Sequence, residues 1–443
     1  MASFQNQAMP ADTTTKARKA GPAKTAKVKE KPDYLKSGNE KAATGDRKGA
    51  IADYTRSIAA DKGNARAYQN RGAVKLASGD ANGALADFAQ AIRINPEYAE
   101  AYFNAGVAKN EIKDFNGAIA DFTRAVELNP KMVGALFNRA VAKGNVGDLD
   151  GALADYTRIV EMQPSNADAW NNRGVLKSRA GDKDGAVADL VMAVNAWFRS
   201  AVAKASQGDL KGALADYDRV VSLSPKFGDA WNNRGNVKRA LGDRAGALAD
   251  YDKAVEVSPK SALAYGNRAF LKAQAKDREG ALEDYGKAIS LDPKNPQLYF
   301  SRGVVHASFG NHADAAADFT RSVKLEPKSA LAYLNRGNAR YQLGKKEEAL
   351  ADYSMAAELA PENADAWYNR GVVLADRKED KAGLESFDKA IELKPDYANA
   401  WFRRALVKSA LGDENAAIED MKQAAKLGVR AAQELLKGKN IGW

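Results

Sequence analysis

Apolar and small residues recur at helical spacing in two consecutive segments of Ala230 to Ser261, a stretch whose pattern returns throughout the chain. In the first segment Trp231, Gly235 and Lys238 lie four and three positions apart, which is the period of one face of an α-helix. The second segment carries the stripe of an amphipathic helix. Its members are Ala247, Leu248, Tyr251, Ala254 and Val255. The pattern therefore predicts two helices in succession.

The residues between and after these segments predict a tight turn and a stop. Glycine tolerates the left-handed conformation that ends a helix, and aspartate caps the next one, so Gly242-Asp243 predicts the turn. Pro259 cannot continue a helix and ends the second one. Gly235 is expected to face Ala247 and Ala254, with Tyr251 as the large residue of the contact, because packing small residues against large ones gives a dense core. The unit is thus a pair of antiparallel helices.

The unit repeats with a period of 34 residues. Trp197 and Trp231 are 34 positions apart, and Trp367 and Trp401 are separated by the same interval. One helix pair cannot bury its own apolar face, so neighbouring pairs must stack. The chain is therefore expected to be a repeat array and not a set of globular domains.

This pattern resembles the tetratricopeptide repeat (TPR) family over residues 32–431, in twelve tandem copies. The resemblance rests on an aromatic residue or leucine, a glycine or alanine four positions later, Gly-Asp, an alanine, an aromatic residue and a proline. It implies an all-α fold, a right-handed superhelical α-solenoid. Residues 428–443 resemble the helix that covers the last repeat in this family. The residues expected to face inward there are Val429, Ala432, Leu435 and Leu436.

One junction departs from the pattern. Trp197 follows Trp170 by only 27 residues, so seven positions are missing at Asn195-Ala196. Two antiparallel helices cannot be joined without connecting residues. Either the helices fuse there and interrupt the superhelix, or the sequence omits a segment.

Three positions that are commonly apolar in the family are charged here, as in Arg234, Lys238 and Asp250. Arginine fills the first position in nine repeats, lysine or arginine the second in ten, and aspartate the third in eleven. The two cations are neighbours on one helix face, so one carboxylate can bridge both. We expect a salt-bridge ladder along the array. If these pairs are exposed, each contributes about 0–1 kcal/mol, and Asp250→Ala destabilises modestly.

A row of asparagines lies two positions after the aromatic residue. Asparagine has a low helix propensity, and its carboxamide both donates and accepts hydrogen bonds. The row resembles that of the O-linked N-acetylglucosamine transferase repeat region, in which asparagines grip the substrate backbone. The resemblance implies a groove that binds extended peptides; the alternative is that the asparagines only maintain the packing of the helices. The candidate peptide-binding residues are Asn70, Asn104, Asn138, Asn172, Asn233, Asn267, Asn335 and Asn369, with Lys36, Arg199 and Arg403 at the same position of other repeats.

Aromatic residues also stand one position before the asparagine row. They could either form pockets for a partner's side chains or pack the core. They are Phe103, Phe137, Phe198, Phe300, Tyr368 and Phe402.

Composition and charge narrow the chemistry further. The net charge is +10, and residues 1–31, a basic polar tail, carry half of it. The chain has no cysteine and only two histidines, His306 and His312, so we predict no metal site and no cofactor. No glycine-rich phosphate loop or nucleophile–base set occurs, so the chain is not expected to be an enzyme. No eighteen-residue apolar stretch was identified, so we expect no membrane insertion.

The leading hypothesis is a non-catalytic scaffold that binds peptide segments of other proteins. The alternative is a self-assembling, filament-forming protein whose tail docks into a neighbouring copy. Nucleic-acid binding through the basic tail is disfavoured, because acidic residues are interleaved in every repeat. Residues 1–31 have no apolar segment typical of a signal peptide. The compartment stays open between a cytoplasmic default and export, and the uniform repeats resemble bacterial ones.

Overall fold

The computed structural model describes residues 33–443, and every regular element within them is an α-helix. The tail predicted at residues 1–31 lies outside this range. The described residues fall into two units that divide between Ser200 and Ala201. In the first unit the helices are α1 Tyr34–Ala43, α2 Arg47–Ala60, α3 Ala65–Ala77, α4 Ala81–Ile94, α5 Ala99–Glu111, α6 Phe115–Leu128, α7 Val133–Val146, α8 Leu149–Met162 and α9 Ala167–Arg179, followed by α10 Lys183–Ser206, which continues into the second unit.

The second unit continues the same alternation of helices. Its elements are α11 Leu210–Leu223, α12 Gly228–Ala240, α13 Arg244–Val257, α14 Ala262–Gln274, α15 Arg278–Leu291, α16 Pro296–Ser308, α17 His312–Leu325, α18 Ala330–Gln342, α19 Lys346–Leu359, α20 Ala364–Asp376, α21 Asp380–Leu393, α22 Ala398–Ala410, α23 Glu414–Lys426 and α24 Arg430–Gly438. Within each unit a first helix packs on the second helix of its own repeat and on that of the preceding repeat. The expected all-α solenoid of helix pairs is confirmed.

The turn inside a repeat forms as the sequence predicts. Gly242 adopts a φ of 86°, in the left-handed region that glycine tolerates. Asp243 then caps α13, because its side chain accepts a hydrogen bond from the backbone N–H of Gly246 at 2.8 Å. The aromatic residue of the first helix stabilises the turn that precedes its repeat. The indole N–H of Trp231 donates to the carbonyl oxygen of Pro225 at 2.9 Å.

Close packing within a repeat depends on the small residue of the first helix. A Cβ atom added to Gly235 would lie 2.7 Å from the ring of Tyr251 and 3.2 Å from the carbonyl oxygen of Ala247. Tyr251 itself is fully buried. The predicted contact between Gly235 and Tyr251 is therefore present. Burial also raises the pKa of the Tyr251 phenol, which keeps it neutral at physiological pH.

Contacts between repeats are apolar. Leu271 of α14 is buried together with Leu248 and Tyr251 of the preceding second helix. Ala264, near the start of α14, packs with Ala254 and Val255 in the same way. The first helix of the next repeat thus covers the apolar stripe of the second helix.

The first helix of the array has a different outer side. Asp33, Ser37 and Glu40 occupy the positions that Ala264, Arg268 and Leu271 occupy in α14. Asp33 and Glu40 are exposed, and Ser37 is half-buried. A polar outer side is what a terminal repeat needs for solubility. Helix α1 therefore offers no apolar surface like those inside the array.

Helix α24 covers the other end. Ala432 and Leu436 are buried in a cluster with Met421, and Val429 packs against the same cluster. Three of the four residues expected to face inward do so. Leu435 is 47% exposed and lines a pocket of about 160 Å³ with Leu406 and Met421. The prediction that Leu435 faces inward is wrong, because this side chain lies at the edge of the inward face and is only partly covered.

The irregular junction is helical throughout. Asn195 and Ala196 lie in the middle of α10, which runs unbroken over 24 residues. Val187 on this helix is 61% exposed. The equivalent residue Leu248 is half-buried by the next first helix. The structure has one continuous helix across the junction, and an omitted segment stays the alternative interpretation of the short spacing.

Helix α10 is also long and apolar enough to cross a membrane by length and composition. An 18-residue window in it has a mean hydropathy of 1.3 and is 33% buried. This apolar segment was not predicted from the sequence. It arises because two short apolar stripes, normally separated by a polar turn, are joined directly. Helix α10 also contains the buried Asp189, which is paired with Arg173 at 2.7 Å, as in the other repeats.

The predicted ion-pair ladder is present, and its carboxylates are buried. Asp250 is 2% exposed and accepts hydrogen bonds from the guanidinium of Arg234 at 2.6 and 2.8 Å. The ammonium of Lys238 lies 3.0 Å from the same carboxylate. The small contribution expected of exposed pairs therefore does not apply to this carboxylate. Removing one partner of a buried ion pair lowers the stability much more than removing a surface pair, because the other partner stays buried without a counter-charge.

Arginine also links successive repeats. The third nitrogen of Arg234 donates to Asp218 of the preceding second helix at 2.7 Å. Arg268 reaches Asp252 in the same way at 2.9 Å, and the hydrogen bonds that it donates to Asp284 and Asp252 raise its pKa further. Thr55, Thr123, Thr157 and Thr320 accept this bond in other repeats. This hydrogen bond between repeats was not predicted from the sequence. A recurring Thr or Asp two positions after the buried aspartate indicates it.

Asp250→Ala is predicted to lower the free energy of unfolding by about 3–5 kcal/mol, because it leaves two cations half-buried without their carboxylate. Asp252→Ala is the matched control. Its side chain is 55% exposed and also pairs with an arginine, so we expect about 0–1 kcal/mol. Urea denaturation of the full chain, followed by circular dichroism, measures both. Equal losses in the two variants would contradict the buried network.

Leu436→Ala is predicted to cost about 2–5 kcal/mol, because it opens a cavity under α24. Leu435→Ala, next to it and exposed, is expected to stay within about 0.5 kcal/mol of the unsubstituted protein. Hydrogen exchange of the α22–α24 amides reports the local loss. Similar exchange in the two variants would mean that α24 does not stabilise this end.

Candidate peptide-binding surface

The first helices of neighbouring repeats lie side by side. In the second unit α12 contacts α14, α14 contacts α16, and α16 contacts α18. In the first unit α1, α3, α5 and α7 are related in the same way. Residues at the same position of these successive first helices therefore form rows along the array.

The asparagine row divides into buried and accessible members. Asn70 and Asn104 are fully buried, so their side chains do not reach the surface in this structure. The nitrogen of Asn70 donates to the side-chain oxygen of Asn39 in the preceding repeat at 2.8 Å. The half-buried members are Asn138, Asn172, Asn233, Asn267, Asn335 and Asn369. Only these six can form part of a surface.

Asparagine amide nitrogens bond within the protein. Asn335 donates to the carbonyl oxygen of Leu331, four residues earlier, at 2.8 Å. Asn267 donates to the side chain of Asn232 in the preceding repeat at 2.8 Å. Asparagines of the row therefore bond both within their own helix and between repeats, as the packing alternative requires. In such residues the carbonyl oxygen and the second N–H remain to bond a partner.

Asn138 and Asn369 follow the same two modes. Asn138 donates to the carbonyl oxygen of Gly134 at 2.9 Å, and Asn369 donates to Asn338 at 3.2 Å. Asn172 donates instead to the hydroxyl of Tyr156 at 3.2 Å. Burial raises the pKa of Tyr156 to about 12, so this hydroxyl keeps its proton.

Asn233 accepts a bond from Asn232 at 3.2 Å. The three cations that interrupt the row, Lys36, Arg199 and Arg403, are exposed. They therefore lie where a solvent-borne partner could reach them.

The aromatic residues beside the row belong largely to the core. Phe103 and Phe137 are buried, and Phe137 lies 5.4 Å from the ring of Tyr156 in its own repeat. Phe300 packs on Phe319 at 5.5 Å. Contacts of this kind favour core packing over pockets for a partner.

Four exposed apolar residues complete the surface in the second unit. Leu263 is 68% exposed and Leu331 53%, and each precedes a row asparagine by four residues. Phe270 and Val304, three residues after the row position, are also exposed. These four residues were not predicted from the sequence as part of the surface. Their signal is leucine at a position where other repeats carry Asp229, Gln297 or Asp365.

The two histidines lie on different helices, His306 in α16 and His312 at the start of α17. Among residues 33–443 there is no group of three or more histidine, aspartate or glutamate side chains placed to hold a metal ion. The chemistry available at the surface is hydrogen bonding, apolar contact and charge pairing.

Solved structures similar to this chain include YrrB, MamA and PilF. YrrB, described as a TPR protein with an unusual peptide-binding site, is 27% identical over 42% of this chain and 95% of its own, with a TM-score of 0.39. MamA is 26% identical over 37% of this chain and 96% of its own, with a TM-score of 0.36. PilF of Pseudomonas aeruginosa is 19% identical over 48% of this chain and 97% of its own, with a TM-score of 0.42. No curated protein matches the chain significantly.

Sequence profiles of one family match most of the chain. The profile described as TPR repeat matches residues 74–112, 273–310 and 337–377. Two profiles described as tetratricopeptide repeat match residues 137–196 and 198–262, and residues 99–132, 364–397 and 398–427. Together these ranges cover more than half of the 443 residues. The chain therefore belongs to the tetratricopeptide repeat family, whose fold is generally a non-catalytic scaffold for protein–protein interaction.

Proposed function

We propose that this protein is a scaffold that binds extended peptide segments of other proteins along the exposed side of its first helices. The observation that carries the proposal is the pairing of two features in the second unit. Asn267 and Asn335 each have an amide oxygen left to accept a bond, and each lies one helical turn from an exposed leucine. Backbone groups of an extended chain match the first feature, and its apolar side chains match the second.

The charge distribution supports a peptide over a nucleic acid. Successive first helices place Asp229 and Asp365 in the same row as the exposed leucines, and carboxylates there repel phosphate. The arginines of the ladder do not compensate, because Arg234, Arg268 and Arg336 are turned to buried aspartates. A polypeptide therefore fits this surface better than a phosphate backbone.

Assembly of the chain with itself is the alternative, through docking of residues 1–31 into a neighbouring copy. The polar outer side of α1 and the cover provided by α24 disfavour simple end-to-end stacking. Light scattering of the full chain beside a chain that starts at Asp33 separates the two functions. Large particles that disappear with the tail would favour assembly.

Asn267→Ala/Asn335→Ala is predicted to weaken peptide binding about 30-fold, because each lost hydrogen bond contributes about 1 kcal/mol. A library of extended peptides is first screened against the full-length protein, and the best binder is titrated by fluorescence anisotropy. The control is Lys253→Ala/Lys389→Ala, which removes two exposed lysines from second helices.

Equal affinity in the asparagine variant and the unsubstituted protein would reject the asparagine row as a binding element. Circular dichroism checks that both variants stay folded. A library without any binder would reject peptide binding as the function.

A further inference from the structure

One row of the second unit carries an ordered alternation of charged, apolar and polar side chains. Two positions before the aromatic residue, successive repeats read Asp229, Leu263, Gln297, Leu331 and Asp365. All five side chains are exposed. The row is symmetric about Gln297, with one leucine and then one carboxylate on each side.

A second line of apolar surface runs beside this row. Phe270 and Val304 are 39% and 41% exposed, on the neighbouring helices α14 and α16. Asn267 lies between Leu263 and Phe270 on the same side of α14, since the three residues are four and three positions apart. The guanidinium of Arg239 lies 5.4 Å from the centre of the Phe270 ring and borders the apolar surface on one side. The patch is therefore apolar in its middle and bordered by polar groups.

The two carboxylates at the ends lack a cation. Among residues 33–443, neither Asp229 nor Asp365 has a lysine or arginine partner within salt-bridge distance. Asp365 accepts a hydrogen bond from the hydroxyl of Tyr397 at 2.8 Å, which is neutral. By contrast, Asp376 on the same helix as Asp365 is neutralised by Lys346 at 3.3 Å. Each carboxylate lies in the first turn of its helix, where the helix dipole favours a negative charge, and neither is paired with a lysine or arginine.

The spacing of the repeats sets the spacing of a ligand. Packed helices lie about 8–10 Å apart, and an extended chain advances about 3.3 Å per residue. One repeat therefore corresponds to about three residues of an extended peptide. A peptide that follows the row meets a carboxylate, a leucine, a glutamine, a leucine and a carboxylate at every third residue.

We propose that this row selects extended peptide segments with a basic residue at positions 1 and 13 and an apolar residue at positions 4 and 10. This inference rests on the proposed function and names the class of segment that the second unit takes. The leucines supply apolar contact, and the asparagines bond the backbone between them. The end carboxylates pair with the basic residues and so disfavour acidic segments. Because the row is symmetric, it does not fix the direction of the peptide.

The test uses the full-length protein and three labelled peptides of 13 residues. The first has Lys at positions 1 and 13 and Leu at positions 4 and 10, in a background of Ser, Gly and Gln. The second replaces both lysines by Glu, and the third replaces both leucines by Ser. Anisotropy titrations at low and moderate salt are expected to show the first peptide binding at least about tenfold more tightly than either other one.

Two substitution pairs make the assignment specific. Asp229→Lys/Asp365→Lys is expected to invert the order, so that the Glu peptide binds more tightly than the Lys peptide. Leu263→Ser/Leu331→Ser is expected to lower affinity for the Lys–Leu peptide by about tenfold. The control Leu223→Ser/Leu427→Ser changes two exposed leucines outside the row and should leave affinity unchanged.

The inference is overturned if the Glu peptide binds as tightly as the Lys peptide, or if the charge reversal does not change their order. It is also overturned if the leucine pair behaves like its control. The library screen described under the proposed function distinguishes a failure of this selectivity from a failure of the scaffold function. Library peptides that bind while the Lys–Leu peptide does not would reject this selectivity and leave the scaffold function standing. No binding of any peptide would reject both.

Discussion

A buried carboxylate between two cations holds together most of the helix pairs that the structure describes. Asp250 receives a two-pronged bond from Arg234 and a further contact from Lys238, while the arginine's remaining nitrogen reaches back to Asp218 of the preceding repeat. One guanidinium thus fixes both the pairing inside a repeat and the stacking between repeats. Such a group is stable in a buried setting only when all of its donors find acceptors. The rest of the packing, including the approach of Gly235 to Tyr251, is set around this constraint.

Exceptions in the chain follow the same constraint. In α21 the carboxylate is replaced by Ser386, and the lysine position of the paired helix α20 becomes Leu374, while Arg370 donates to the serine hydroxyl at 2.7 Å. In α5 the arginine is replaced by Ala105, and the acceptor of the preceding repeat is Ala89. One member of the network is kept in each case, and it needs another partner, because a buried polar group without one is costly. Asp121, which has Lys109 but no arginine, shows the cost: burial raises the pKa of its carboxyl.

The ladder also explains why one side of the first helices is available for binding. The charged side chains that stabilise the array are turned toward second helices, and the aromatic residues beside the asparagine row are taken up by the core. Positions two before, two after and five after the aromatic residue are left to vary without loss of the fold. Variation there produces Leu263, Phe270 and Leu331 in the second unit. Specificity can therefore change from repeat to repeat while stability is kept by the same network.

The sequence by itself determined the repeat, its two helices, the Gly242–Asp243 turn and the pairing of Arg234 and Lys238 with Asp250, because each depends on spacing along one or two helices. Local chemistry of this kind is visible in a period of 34 residues. The tertiary structure alone decided burial. It turned the expected surface ion pairs into buried ones, hid Asn70 and Asn104 while leaving Asn267 and Asn335 accessible, and exposed Leu435. Burial depends on which neighbouring helix covers a residue, and residues with the same spacing in the sequence are covered differently when their neighbours differ.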